Sequence, residues 1–209
     1  MLENIPKRRE LEILLNGLKA HPSPNRLLEQ YTIPADLAAK ILSVATYVYG
    51  DISGKIVFDF GCGTGRLSIG AAILGAEYVV GFDIDRVALE VAKLNSVKAG
   101  VSGRTDWVLC DIAKVKGYCD TVIQNPPFGT GFRGADRIFL KKALEVGHVI
   151  YTIHKSETDE FIRKLVEEYG GSISVVFRSS INIPRMFEFH RRRFYKFQVN
   201  VYRIEVKHV

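Results

Sequence analysis

The sequence predicts an α/β protein: a doubly wound, mostly parallel sheet, with helices ahead of it and an antiparallel hairpin at its end. Three observations carry this. Five short apolar runs, KIVFDF, YVVGFD, TDWVLCD, DTVIQN and HVIYTIH, alternate with stretches able to form helices. That is the pattern of parallel strands buried on both faces. The first run leads into VFDFGCGTGRLSIG, which reads as strand, glycine turn and helix. Finally, ISVVFRSSI and YKFQVNVYRIEV have no helix between them, so they form a hairpin that brings the sheet to seven strands.

Taken in order, residues 7–20 place Leu11, Leu14, Leu15 and Leu18 on one face of an amphipathic helix. His21-Pro22-Ser23-Pro24-Asn25 breaks it. A second helix begins near Pro34, a residue suited to a first turn, and runs to about Tyr49. Stretches that could be loop or helix, notably 65–75, 86–99 and 136–146, separate the strands. A further helix over 158–169 has Thr158 as its cap and turns Phe161, Leu165 and Val166 inward. In the last strand Phe197, Val199 and Val201 share one face, whereas Tyr202, Ile204 and Val206 share the other. This change of phase predicts a bulge near Val201 and Tyr202. With no repeat and no linker, the 209 residues are expected to form one domain, an extension over 1–50 before a core over 51–209.

Composition narrows the function classes. Hydrophobic residues at 47% and charged ones at 25% are those of a soluble globular protein. The net charge of +6 favours an anionic partner such as nucleic acid. Cys62, Cys110 and Cys119 are odd in number and lack C-x-x-C spacing. Neither a disulfide framework nor a metal site is expected, and a reducing cytoplasm is. Lys7-Arg8-Arg9-Glu10 stands where a signal peptide needs an apolar core. No apolar run approaches the roughly 20 residues that span a bilayer, so no membrane role is expected.

The glycine turn is the first candidate site. Gly61, Gly63 and Gly65 let the backbone approach a ligand, and the next helix presents free N–H groups. A dinucleotide fingerprint would need a small residue where Arg66 or Ser68 stands, and no phosphate-binding P-loop string occurs. Asp83, closing the next strand in GFDID, lies about 20 residues on, where an acid accepts from ribose hydroxyls. Asp85 is expected to cap the following helix. After the third strand, Asp111 is placed to accept an adenine amine beside the Ile112 backbone, or to serve as a loop or cap residue.

The fourth strand ends in NPPF, Asn125-Pro126-Pro127-Phe128. Two prolines remove backbone donors and stiffen the turn. The Asn125 side-chain carbonyl and the Pro126 backbone carbonyl can accept the two hydrogens of an exocyclic amine, restoring its lone pair. Pro127 fixes those acceptors in advance, and Phe128 offers a face for a flipped base. The other reading is a strand-ending turn with Phe128 packed inward. Gly129 and Gly131 make the following loop mobile. His154 and Lys155, after the fifth strand, either border the pocket or belong to an ordinary loop.

The string D-x-G-x-G-x-G opened by Asp59 resembles the first motif of S-adenosylmethionine-dependent class I methyltransferases, which are Rossmann-like. NPPF resembles the acceptor motif of amino-methyltransferases. Read together with LLEQYTIPADLAAKIL (27–42), LSIG (67–70), GFDID (81–85), NPPFGT (125–130) and IHKS (153–156), the chain resembles the archaeal and eukaryotic adenine-N6 methyltransferases of small-subunit ribosomal RNA. The resemblance spans residues 10–195. It implies that Gln30 and Thr32 close over S-adenosylmethionine, that Gly61, Thr64, Arg66, Asp83, Asp111 and Ile112 surround it, and that Asn125 to Phe128 meet the target amine. It also implies a small zinc-binding activator in some members, pairing with an edge strand at 104–110.

The stretch FEFHRRRFYKF holds Arg191, Arg192, Arg193 and Lys196 among five aromatics. Charge beside rings fits RNA contact, and a solvated connection with alternating buried rings is the plainer reading. Three rival functions stay open: guanine-N2 methylation of RNA, methylation of a protein glutamine, and a non-catalytic RNA-binding assembly factor.

Overall fold

The structure, a computed structural model, describes residues 5–25, 28–128, 134–184 and 194–207. Two helices come first, α1 (Arg8–Asn16) and α2 (Ala35–Tyr47). Strands and helices then alternate: β1 (Ile56–Phe60), α3 (Arg66–Ile73), β2 (Tyr78–Asp83), α4 (Arg86–Lys98), β3 (Thr105–Leu109), β4 (Cys119–Gln124), α5 (Ala135–Val146), β5 (Gly147–Lys155) and α6 (Asp159–Glu168). The hairpin β6 (Ser172–Pro184) and β7 (Phe194–Glu205) completes the chain. The seven strands lie in the order β3-β2-β1-β4-β5-β7-β6. The first five run parallel, and β7 is antiparallel to both of its neighbours. The strand order reverses between β1 and β4, and ligands of open α/β sheets bind beyond the carboxyl ends at that point.

Two apolar layers sandwich the sheet. One contains Leu11, Leu15 and Leu42 together with Val57, Ile69, Ile123 and Val201, so the N-terminal helices share a core with the strands. The other joins Phe60, Val122, Leu140, Ile150, Ile162 and Tyr202. Among the described residues no helix is long and apolar enough to cross a membrane.

Three expectations are corrected. Leu14 is 51% exposed, because Leu11 and Leu15 alone carry the buried stripe of the short α1. On α6 the inward face is Ile162, Leu165 and Val166, and Phe161 turns out towards Arg137. Thr158 precedes α6 without a side-chain cap and donates instead to the Lys155 carbonyl. The change of phase in β7 also has another origin than the one expected. Its pairing with β5 is unbroken from Glu205 to Val199. Val201 and Tyr202 are both buried because each face of the sheet is covered there. The bulge lies opposite, in β6, where the register shifts between Val175 and Phe177.

Candidate active site

Every residue that the sequence assigns to the cofactor lines one cavity of about 460 Å³ at the carboxyl ends of β1, β2 and β4. That volume is of the size that holds a small organic ligand. Its floor is the glycine turn. Gly63 has nothing within 4 Å of where a side chain would start, so its backbone is bare to the cavity. Gly65 is glycine for a different reason: φ is +83°, and a Cβ there would lie 2.6 Å from the Trp107 ring. The same indole lies 2.7 Å from a Cβ at Gly81. The lone tryptophan, on the edge strand, thus sets one glycine of the cofactor loop and one of β2.

The acidic strand ends hold the floor in shape. Asp59, 1% exposed, accepts from the backbone N–H and the hydroxyl of Ser68, tying β1 to the first turn of α3. Burial first, and the charge of Asp83 after the opposing Ser68 bonds, push its carboxyl up to about 7. Asp83 accepts from Gly63 N–H at 2.7 Å with one oxygen and from Asp85 N–H at 2.9 Å with the other. Burial raises its pKa against those backbone bonds. Asp85 caps α4, accepting from the N–H groups of Val87 and Ala88. Asp111 is exposed and accepts from Ala113 N–H, with Ile112 buried beside it. Cys62 and Cys110 also line the cavity, and burial, with nearby carboxylates, raises both thiols and keeps them protonated.

The roof is a segment that reaches back from the N-terminal region. Gln30 donates to Asp85 at 2.6 Å and accepts from Asn25 N–H. His21 lies 3.1 Å from the same Asp85 oxygen. The Arg66 guanidinium donates to the Ile33 carbonyl at 2.6 Å. Its Nε is buried and has no partner among the described residues, which leaves one donor for a ligand. These features fit S-adenosylmethionine: bare backbone at Gly63 and the acidic side chains of Asp83 and Asp111, with Ile112, line one cavity.

Asn125 and Pro127 line the same cavity, whereas the side chains of Pro126 and Phe128 are buried beside them. Asn125 Oδ1 is buried and lacks a hydrogen-bond partner. Phe128 is packed inward at 8% exposure, stacked on Tyr31 with ring centroids 5.5 Å apart. Its backbone N–H donates to the buried Glu29 carboxylate at 2.7 Å. Sequence reasoning missed Glu29, Tyr31, His21 and Trp107, since each reaches the site across a long separation. The site does not include His154: it is buried, its pKa is lowered to about 3 by burial, and its Nε2 shares a hydrogen bond with the Thr152 hydroxyl at 2.8 Å. Lys155 sits over the Phe197 ring at 4.9 Å. Lys196 is exposed on β7, and Arg191, Arg192 and Arg193 lie outside the described residues.

A family model described as ribosomal protein L11 methyltransferase (PrmA) matches residues 41–125, the part from α2 through β4 to Asn125. The Methanocaldococcus jannaschii protein MJ0284 is 44% identical, covering 95% of this chain and 94% of its own. The rRNA N(6)-adenosine-methyltransferase Mettl5 of Drosophila melanogaster is 36% identical, covering 96% of this chain and 97% of its own. Among solved structures, PH1948 from Pyrococcus horikoshii superposes with a TM-score of 0.89 at 38% identity, over 97% of this chain and 99% of that one. With near-complete coverage in both directions, and a cavity that takes in the glycine loop and Asn125 alike, the chain belongs to the Mettl5 family of methyltransferases.

Proposed function

We propose that this protein transfers the methyl group of S-adenosylmethionine to N6 of an adenine in small-subunit ribosomal RNA. The observation that carries the reading is the buried, unpaired Oδ1 of Asn125, a residue at the end of β4 that lines the cavity of the glycine loop. A buried acceptor without a donor is costly, and an adenine amine supplies that donor. S-adenosylmethionine supplies a sulfonium-bound methyl group, which the amine nitrogen takes as the sulfur keeps the bonding pair. Asn125 Oδ1 and the Pro126 carbonyl accept the two N6 hydrogens, drawing them from the ring plane and freeing the lone pair. Pro127 holds both acceptors still, so no reorganisation is needed during transfer. The methylated nitrogen then releases one proton to water, a step that needs no general base. Asp83 receives the ribose hydroxyls, and Arg191, Arg192, Arg193 and Lys196 contact RNA phosphates.

The family relation supports ribosomal RNA as substrate, the relatives being named for that activity. A small zinc-binding activator is proposed at β3. This strand forms one edge of the sheet, and Val108 and Leu109 on it are exposed, as are Leu94 and Val97 on the adjacent α4. A partner strand added there would pair the free edge and cover that surface. Three free thiols fit a reducing cytoplasm.

The test is transfer from labelled S-adenosylmethionine to RNA that lacks the modification, followed by nucleoside digestion and mass identification. N6-methyladenosine is the expected product. Label in a guanosine overturns the base assignment, and label that survives ribonuclease overturns RNA as the substrate.

A further inference from the structure

The acceptor end holds an arrangement that the transfer step does not use. Phe128 is covered on two sides, by Tyr31 stacked at 5.5 Å with 26° between the planes and by Phe197 tilted at 6.4 Å. Rings at 5.5 Å leave no space for a base between them. The Tyr31 hydroxyl and Asn125 Oδ1 are both buried without a hydrogen-bond partner. Burial first, then the Glu29 charge, keep the phenol protonated, against the opposing effect of the Asn125 side chain beside it. The cavity reaches Tyr31 and Asn125 but stops short of Phe128. Glu29 fastens this state: its carboxylate takes the Phe128 N–H, and its backbone sits at φ +52°, a region that side-chain-bearing residues rarely adopt.

We propose that Tyr31 is a positioning residue that holds the place of the target base. In the base-free enzyme its ring covers the face of Phe128 on which the base stacks. Entry of the base turns Tyr31 out and releases the Glu29 bond to Phe128. Gln30 and Thr32 stand on the same segment and line the cofactor cavity, so base entry and cofactor enclosure are linked through residues 29–32. This inference rests on the reading of NPPF given above.

The experiment compares methylation of unmodified small-subunit ribosomal RNA by the full chain and by Tyr31→Ala, Tyr31→Leu and Asn125→Ala. KM for RNA, kcat and the cofactor dissociation constant are measured for each. Leucine fills the space without an aromatic face and covers the case in which alanine leaves the segment unfolded. The expected result is a KM for RNA about threefold to tenfold lower in the Tyr31 variants, because the base no longer displaces a stacked ring. Damage to the fold does not tighten substrate binding. A KM unchanged or raised in both Tyr31 variants overturns the proposal. If Asn125→Ala loses turnover in that case, the NPPF reading stands and only the place-holding role fails. Turnover retained in Asn125→Ala sinks both.

Discussion

Around β1 and β2 the strand ends are finished, whereas at β4 they are not. Asp59, Asp83 and Asp85 each accept from at least two donors within the loop and helix they serve. Of the cofactor side, among the described residues only the Arg66 Nε is left buried and unpaired. At β4, Gln124 Oε1 and Asn125 Oδ1 are both unpaired, and so is the Tyr31 hydroxyl above them. The cofactor half is a scaffold made rigid before any ligand arrives. The acceptor half stores unpaired acceptors in a closed, stacked arrangement. The PrmA model matches residues 41–125, which takes in the glycine turn and β4 as far as Asn125.

If the halves divide the work in this way, substitutions in each fail differently. Asn125→Ala gives the largest effect: kcat falls by about 10²–10³, the loss typical of removing one preorganised transition-state partner. Calorimetric cofactor affinity stays within about twofold. Asp83→Ala reverses the pattern. It removes the acceptor proposed for ribose and the anchor of Gly63, so the cofactor dissociation constant rises about tenfold to a hundredfold by titration. Gly65→Ala meets both a positive φ and the Trp107 ring. It lowers unfolding free energy by about 1–3 kcal/mol in denaturant melts.

The smallest effects come with pH, where the contributions of Asp59 in the cofactor floor and of His154, buried outside the site, have opposite signs and partly offset each other. Asp59 titrates at about 7 when folded against 3.8 as a free side chain, so the folded state binds the extra proton between those values. Stability therefore falls as pH rises through that window, and Asp59→Asn flattens the fall. His154 is lowered from 6.5 to about 3, so it is the unfolded state that binds more protons there. Stability falls as pH drops below 6.5, and His154→Gln flattens that side. Melting temperatures of the three proteins across both windows check the signs.

What was legible in the sequence follows the same division. The glycine turn, the acid after each strand and the cap at Asp85 are local consequences of backbone geometry, and each is readable within a few residues. The apolar runs gave the strands, and the absence of a helix between 172 and 205 gave the hairpin. The acceptor cover was not readable, because Glu29 meets Phe128 across 99 residues and His21 meets Asp85 across 64. Helical period alone also misplaced Leu14 and Phe161, where a short helix offers only a narrow stripe and the neighbouring turn decides which side is inside. The bulge expected in β7 sits in β6 because a change of phase records which face is covered as well as where a residue is inserted.

The most direct test of this division sets Asn125→Ala and Asp83→Ala side by side in single-turnover methylation at saturating cofactor and RNA, with cofactor affinity measured on the same preparations. The account predicts a crossed result. Asn125→Ala binds cofactor normally and transfers at least about a hundredfold more slowly, while Asp83→Ala binds weakly and recovers most of its rate at saturation. Equal losses of affinity and rate in both variants would contradict it.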